Sequence, residues 1–128
     1  MIHRFSKHYS RDEARALLPQ VRKWLQRLSQ LRRDFEQGEE RLKSLRAAAG
    51  DLGGGPVNRW VRTMAEIKEV LLEFHQRQIQ VKDLDRGLVD FPALIGGKEV
   101  FLCWEKDEED IEFWHDLDAG YAGRERLD

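Results

Sequence analysis

The sequence contains two long runs in which apolar residues recur at alternating spacings of three and four. The first run occupies residues 14–45, directly after a Ser-x-x-Glu capping motif at residues 10–13, and the second occupies residues 57–74. A sustained alternation of this kind is typical of helices that pack side by side along one narrow stripe. The glycine-rich stretch at residues 50–56 separates the two runs and predicts a short connection. The pattern therefore predicts an antiparallel helical hairpin.

The two predicted helices differ in length, and this difference predicts where the rest of the chain must pack. The first has about 36 residues and the second about 22, at about 1.5 Å of rise per residue. Folded back at a tip loop over residues 49–56, the second helix reaches only to about Trp24. Leu18 and Leu25 widen the apolar stripe of the first helix beyond that point, so another element should cover it. Pro19 should kink or restart the helix near Leu18.

Three strand-like runs follow the hairpin: GLVDFPALI, KEVFLCW and IEFWH. The Gly-Gly pair at residues 96–97 predicts a tight turn that pairs Ile95 with Lys98. The acidic stretch EKDEED predicts the next turn, with Trp104 opposite Ile111. In this register one face of the sheet is apolar in all three strands: Val89, Phe91, Ala93, Val100, Leu102, Trp104, Ile111 and Phe113. We expect this face to cover the N-terminal third of the first helix, which the second helix does not reach.

The predicted fold class is α+β, a long coiled-coil-like antiparallel helical hairpin with a small C-terminal three-stranded antiparallel sheet packed on the base of the first helix. We expect a single domain over residues 1–128, with the hairpin over residues 10–78 and the sheet and C-terminal turns over residues 79–128. Charge favours the same docking. Residues 1–48 carry 12 basic and 6 acidic residues, whereas residues 49–128 carry 10 and 18, so the two regions should attract each other.

The composition also bears on the compartment. Cys103 is the only cysteine, so no internal disulfide can form, and a reducing compartment is expected. No apolar run approaches the roughly 20 residues that a membrane-spanning helix needs, and the first residues lack the apolar segment of a signal peptide. We therefore expect a cytoplasmic protein that does not contact membranes.

The second face of the predicted sheet carries an unusual row of apolar side chains. In the predicted register Pro92, Phe101 and Trp114 form this row, and an exposed row of aromatic residues is typical of an interaction patch. The alternative is that residues 1–9 or the end of the chain cover it. The register also places Cys103 and His115 on opposite faces, which argues against a cysteine–histidine nucleophile.

The chain repeats Asp-Leu-Asp-x-Gly at residues 83–87 and 116–120. The repeat resembles the start of a calcium loop, but glycine stands where the third ligand belongs and no closing glutamate follows. We interpret both as turns, with Gly87 and Gly120 at positive φ. No two histidines have a zinc-ligand spacing, and we expect no metal and no cofactor. Six residues at the sheet ends are the weak catalytic candidates: Asp83, Asp85, His115, Asp116, Asp118 and Arg124. If both turns lay at the same end of the sheet, their aspartates and His115 would converge in an acidic corner. The alternative is a purely structural corner, in which the Arg124 guanidinium binds one of the two aspartate pairs.

Four motifs resemble those of a bacterial family of uncharacterised proteins, catalogued as domain of unknown function twenty-two-zero-three: YSRDEARALLP, VKDLDRGLVDFPA, EVFLCW and FWHDLDAGYAGR. The resemblance covers nearly the whole chain, apart from a variable middle at the hairpin tip. It implies no established activity, cofactor or partner. This chain differs from the family pattern at residues 106–110, where KDEED replaces the Gly-Glu pair that usually follows the LCW strand.

The sequence favours a non-enzymatic interaction or scaffold module that acts through the hairpin, as a homodimer or with a partner protein. One alternative is a small enzyme or metal-binding protein that uses the acidic corner with His115. A weaker alternative is nucleic-acid binding along the basic first helix; its basic residues are interleaved with acidic ones, which argues against it.

Overall fold

The computed structural model describes residues 2–49 and 54–128, which form two helices and one five-stranded antiparallel sheet. The elements are α1 (Arg11–Ala49), α2 (Gly54–Gln76), β1 (Gln80–Asp83), β2 (Leu88–Ile95), β3 (Lys98–Glu105), β4 (Phe113–Asp116), a 3₁₀ turn (Tyr121–Gly123) and β5 (Glu125–Arg126). The strands lie in the sheet in chain order. The predicted α+β class is confirmed, with five strands instead of three. Of the tip loop predicted over residues 49–56, residues 50–53 lie outside the described residues. Ala49 belongs to α1, and Gly54, Gly55 and Pro56 begin α2, so the predicted loop extends too far at both ends.

The start of α1 has the predicted capping box. The backbone N–H of Ser10 donates to Glu13 Oε1 at 2.9 Å, and the backbone N–H of Glu13 donates to Ser10 Oγ at 3.1 Å. These reciprocal bonds satisfy two N–H groups that a helix start otherwise leaves unpaired. Pro19 lies inside α1. The helix continues through it, so the predicted restart near Leu18 does not occur.

Aromatic pairs hold the two helices of the hairpin together. Trp24 packs edge to face on Phe74 with ring centroids 5.2 Å apart. This contact lies at the end of α2, and the difference in length between the two helices predicted that α2 would end beside Trp24. Nearer the tip, Phe35 and Trp60 stack at 5.4 Å. Gly38 lies on the side of α1 that faces α2, where a Cβ would lie 3.2 Å from Trp60 Cδ1, so the indole occupies the space left by the missing side chain.

The apolar face of the sheet packs on the N-terminal third of α1, as predicted. The β2–β3 register pairs Ile95 with Lys98 and continues without a shift to Leu88 and Glu105. The buried cluster combines residues of α1 with residues of the sheet face: Ala14, Leu18, Val21, Leu25, Val89, Phe91, Ala93, Val100, Leu102 and Trp104. The N-terminal part of α1 extends beyond the end of α2, and the sheet buries the apolar surface that α2 leaves uncovered there.

Ion pairs and carbonyl contacts join α1 to the acidic C-terminal region. Arg15 Nε donates to Asp110 Oδ1 at 2.7 Å, and Arg32 Nη2 lies 2.8 Å from Asp85 Oδ1. Arg22 donates to the backbone carbonyl oxygens of Lys106 and Glu108 at 2.7 and 2.9 Å. These contacts favour the interpretation that the uneven charge along the chain serves internal docking.

The register of β4 on β3 differs from the expectation by one residue. Leu102 pairs with Trp114 and Cys103 with Phe113, so the predicted pairing of Trp104 with Ile111 is wrong. Ile111 is fully buried in the core but precedes the strand. A shift of one residue exchanges the faces of every side chain in a strand. Trp114 therefore faces the core, and Phe113 and His115 face the second side of the sheet.

The loop between β3 and β4 is organised around Glu108, which accounts for the shift. Its backbone carbonyl oxygen accepts bonds from Arg22 and from Trp104 Nε1, the latter at 2.9 Å. Its carboxylate accepts the backbone N–H of Glu105 at 2.8 Å and the Arg124 guanidinium. Two of these donors, Arg22 and Arg124, are distant in sequence, so the local stretch EKDEED could not indicate the loop length.

The two Asp-Leu-Asp-x-Gly stretches form different turns. In the first, Gly87 has φ of +64° and its N–H donates to the carbonyl oxygen of Leu84. The backbone N–H of Arg86 donates to Asp83 Oδ1 at 3.1 Å. In the second, Gly120 has φ of −110°, so its predicted positive φ is wrong. Only the first stretch therefore requires glycine for its backbone conformation.

Alanine substitutions should separate the two glycines. Gly87→Ala should destabilise the fold by about 2 kcal/mol or more, because the left-handed conformation costs an L-residue about 1–2 kcal/mol and the new Cβ would lie 2.6 Å from Lys106 Cβ. Gly120→Ala, with open space around its Cβ position, should stay within about 0.5 kcal/mol of the parent. Urea unfolding of both variants measures the difference, and equal losses would contradict this account.

Candidate functional site

The N-terminal segment, residues 2–9, covers part of the second face of the sheet. Phe5 packs edge to face on Phe101 with ring centroids 5.4 Å apart, and the backbone N–H of Tyr9 donates to the carbonyl oxygen of Pro92 at 2.7 Å. Pro92 and Phe101 are buried, and Trp114 lies on the opposite face against the core. The predicted exposed patch of Pro92, Phe101 and Trp114 is therefore wrong, and the alternative of a covering N-terminus describes the structure.

Glu99 anchors this segment. Its carboxylate accepts the backbone N–H groups of Arg4 and Phe5 at 2.7 and 3.0 Å, and its Oε2 lies 2.7 Å from His8 Nε2. Burial opposes ionisation of Glu99, but the bonds from His8, Phe5 and Arg4 outweigh it and lower the pKa to about 2. One side chain thus fixes three residues of the covering segment.

Glu99→Gln should weaken the fold most above pH 4.5. Because the folded-state pKa of about 2 lies below the unfolded value of 4.5, the contribution of the carboxylate is present above pH 4.5 and is lost as the pH falls toward 2. The difference in free energy of unfolding between parent and variant should shrink over that range. Trypsin should also cleave the variant faster after Lys7. Glu40→Gln, an exposed substitution on α1, is the control, and a pH-independent difference would contradict the assignment.

The same face of the sheet carries a buried polar cluster of Asp90, Cys103 and His115, which borders Phe101. Their exposed fractions are 2%, 0% and 2%. Asp90 and Cys103 are direct partners in the β2–β3 register, and His115 joins them from β4 because of the one-residue shift. The expectation that Cys103 and His115 lie on opposite faces is therefore wrong. The predicted pairing of Ile95 with Lys98 also places Asp90 opposite Cys103, but the predicted register of β4 did not bring His115 to them.

His115 is held at both ring nitrogens. Nε2 lies 3.0 Å from Asp90 Oδ2, and Nδ1 lies 2.7 Å from the backbone carbonyl oxygen of Asp116. Since a carbonyl oxygen can only accept, Nδ1 carries a hydrogen and Nε2 is directed at the carboxylate. The ring also packs on Phe101 at 5.6 Å between centroids. The histidine is thus oriented toward Asp90 in a site closed to solvent.

The cluster does not contain an activated nucleophile. Burial raises the pKa of the Cys103 thiol to about 12, with a further rise from Asp90 and a partial offset from Arg124. A thiol of this kind is protonated at neutral pH and unreactive. Burial also raises the pKa of Asp90, opposed mainly by His115. The arrangement therefore does not favour cysteine-based acyl transfer.

The proposed acidic corner does not form, because the two aspartate turns lie toward opposite ends of the sheet. Asp83 ends β1 beside Leu88, where β2 begins. Asp116 pairs with Val100, near the β2–β3 turn, and Lys98 Nζ lies 2.7 Å from its Oδ1.

The outer aspartates have separate cationic partners. Asp85 pairs with Arg32, and Asp118 pairs with Arg4 at 3.2 Å. The six catalytic candidates therefore do not share one site.

Arg124 has a structural contact different from the expected one. Its Nη1 and Nη2 donate to the two carboxylate oxygens of Glu108 at 3.1 and 2.8 Å, and Nη2 also donates to the Tyr121 hydroxyl at 3.1 Å. The guanidinium lies 3.8 Å from the ring centroid of Phe113. The expectation that Arg124 would clamp an aspartate pair is wrong: it ties the C-terminal turn to the Glu108 loop.

Beyond the sheet, α2 presents apolar side chains to solvent. Val61, Leu71 and Leu72 are 50%, 46% and 42% exposed. Val61, Ala65, Lys68 and Leu72 follow spacings of four, three and four, so they form one stripe on the side of α2. We name this stripe the outer face of α2.

A helical hairpin docked on a five-stranded antiparallel sheet, with a closed polar cluster on the second sheet face, defines the structural class. Within the described residues, no helix is long and apolar enough to cross a membrane. The chain belongs to the DUF2203 family, described as an uncharacterized conserved protein, whose family model matches residues 7–127. The family indicated by the sequence motifs is therefore confirmed. No curated protein and no solved structure matches the chain.

Proposed function

We propose that this protein is a non-enzymatic interaction module that pairs with a second copy of itself through the outer face of α2. The exposed stripe on α2, which is apolar except for Lys68, carries the proposal. Val61 is 50% and Leu72 is 42% exposed, and burial of a leucine side chain contributes about 1.5–3 kcal/mol. The division of the catalytic candidates between the sheet ends and the protonated Cys103 thiol support a role without catalysis.

The thickness of the hairpin supports a helical partner. Near the tip only one layer of side chains, such as the Phe35–Trp60 stack, lies between α1 and α2. A second hairpin laid on the outer face would build a four-helix bundle with a second apolar layer. The long stripe and the two-helix geometry therefore favour another hairpin as the occupant.

The charges beside the stripe favour a second copy in the antiparallel direction. Arg62 and Glu69 lie on the same flank of the outer face, one helical turn on each side of its centre, and both are exposed. Within the described residues, neither forms an ion pair in the chain. A two-fold axis near the middle of α2 would place Val61 opposite Leu72 of the second copy. It would bring Arg62 close to Glu69 of that copy, twice by symmetry.

Sedimentation equilibrium across micromolar concentrations tests the dimer, and charge-swapped variants test its direction. Arg62→Glu alone and Glu69→Arg alone should each weaken association, because each creates two like-charge contacts. The double variant should restore it. The restored affinity should fall in high salt, since exposed ion pairs are screened.

Leu72→Glu should weaken the dimer more than about tenfold, the factor that corresponds to 1.4 kcal/mol. Leu94→Glu is the matched control, since Leu94 is 43% exposed, lies on β2 away from the outer face and has the same side chain. A parent protein that remains monomeric throughout contradicts the proposal. Equal effects of the Leu72 and Leu94 substitutions, or a double charge variant no tighter than the single ones, also contradict the proposed interface.

A further inference from the structure

The buried cluster of Asp90, Cys103 and His115 brings three kinds of metal-binding atom together. A carboxylate oxygen, a thiol sulfur and an imidazole nitrogen lie within 4.8 Å of one another. We propose that this cluster binds one divalent transition-metal ion of the zinc class. Mixed sulfur, nitrogen and oxygen donors suit Zn²⁺ and Co²⁺ and disfavour Mg²⁺ and Ca²⁺, which prefer oxygen alone.

An unpaired buried oxygen points independently to a ligand. Asp90 Oδ1 is buried and has no hydrogen-bond partner among the described residues, although the residue is only 2% exposed. Leaving such an acceptor unpaired costs about 1–3 kcal/mol, and more for a charged group. A cation bound by both Asp90 oxygens would satisfy it. The bidentate carboxylate, Cys103 and His115 then supply four donor atoms.

The orientation of His115 matches that of a metal ligand. Metal-binding histidines commonly donate their other ring N–H to a carbonyl or carboxylate, which fixes the tautomer and the ring direction. Here Nδ1 lies 2.7 Å from the carbonyl oxygen of Asp116, and Nε2 is the atom directed toward Asp90. The ring is therefore already set for binding through Nε2.

Size and charge also fit a small divalent ion. With the Asp90 carboxylate occupying one side of the ion, zinc bonds of about 2.0–2.3 Å hold donor atoms of different residues roughly 3–4 Å apart. Donors within 4.8 Å therefore need only a small contraction. On binding, the Cys103 thiol releases its proton to solvent. The proton shared between His115 Nε2 and Asp90 Oδ2 is released as well, because a ring nitrogen that binds a metal cannot carry a hydrogen. The thiolate and the Asp90 carboxylate then balance the two charges of the ion, and the nearby Arg124 is balanced by Glu108 at 2.8 Å.

The enclosure assigns a structural role to the ion. The three donors come from three adjacent strands and are at most 2% exposed, whereas catalytic zinc keeps a position open to substrate. Bound metal would tie β2, β3 and β4 together on the second face of the sheet. The spacing of the three residues along the sequence could not reveal the site, because the sheet register brings them together.

Titration of the metal-free full-length protein with Co²⁺ tests the proposal. Cobalt bound to a thiolate gives a strong near-ultraviolet charge-transfer band, and Cys103 is the only cysteine, so the band reports this site alone. We expect one ion per chain, displacement by Zn²⁺ and a higher melting temperature with Zn²⁺. Folded parent protein without this band, at Co²⁺ concentrations far above the protein, would overturn the proposal.

Substitutions identify the ligands. Cys103→Ser should remove the band, and Asp90→Asn and His115→Gln should each weaken Co²⁺ binding by more than about 100-fold, beyond the usual effect of changing an outer partner of a ligand. Circular dichroism checks that each variant is folded, and the spectrum of the parent decides the question if a variant fails to fold. The control is His3→Asn with His8→Asn, which removes the other histidine cluster, His3, His8 and Glu99. Loss of the band in the control with retention in Asp90→Asn and His115→Gln would overturn the assignment.

Discussion

The overhang of α1 beyond α2 leaves Ala14, Leu18 and Val21 without a helical partner, and the sheet supplies the apolar surface that buries them. This contact sets the arrangement of the other elements. The sheet must present one apolar face to α1, which β2 and β3 supply with Val89, Phe91, Val100 and Leu102. Its outer connections must reach the basic side of α1. Arg15 and Arg22 hold the acidic loop there. The hairpin and the sheet are therefore stabilised by one shared core.

The sequence predicted the parts of this fold that depend on local pattern. Heptads, the capping box and the difference in helix length predicted both helices and the contact of Trp24 with the end of α2. The Gly-Gly turn predicted the β2–β3 register. The position of β4 depended on Glu108, whose partners Arg22 and Arg124 lie far away in sequence. Local signals could not supply that register, and β1 and β5 were too short to show a strand pattern.

The candidate site was hidden for the same reason. Asp90 and Cys103 were adjacent in the predicted register, yet a shift of one residue decided whether His115 joined them. The six catalytic candidates at the sheet ends were chosen for their residue types, and the structure does not bring them to one place. Gly120 illustrates the same limit: its motif matches that of Gly87, but only one of the two turns has positive φ. The same sequence motif therefore adopts two different backbone conformations.

The outermost strands of the sheet differ sharply from its centre. β1 has four residues and an irregularity between Val81 and Asp83, and β5 has only two residues. A long, flat edge would offer a row of free backbone groups to any extended chain, which is a route to β-aggregation. Short and irregular edges limit that addition, and the charged Lys82 hinders it further. The sheet margins therefore protect the chain from strand addition by their shortness and their charge.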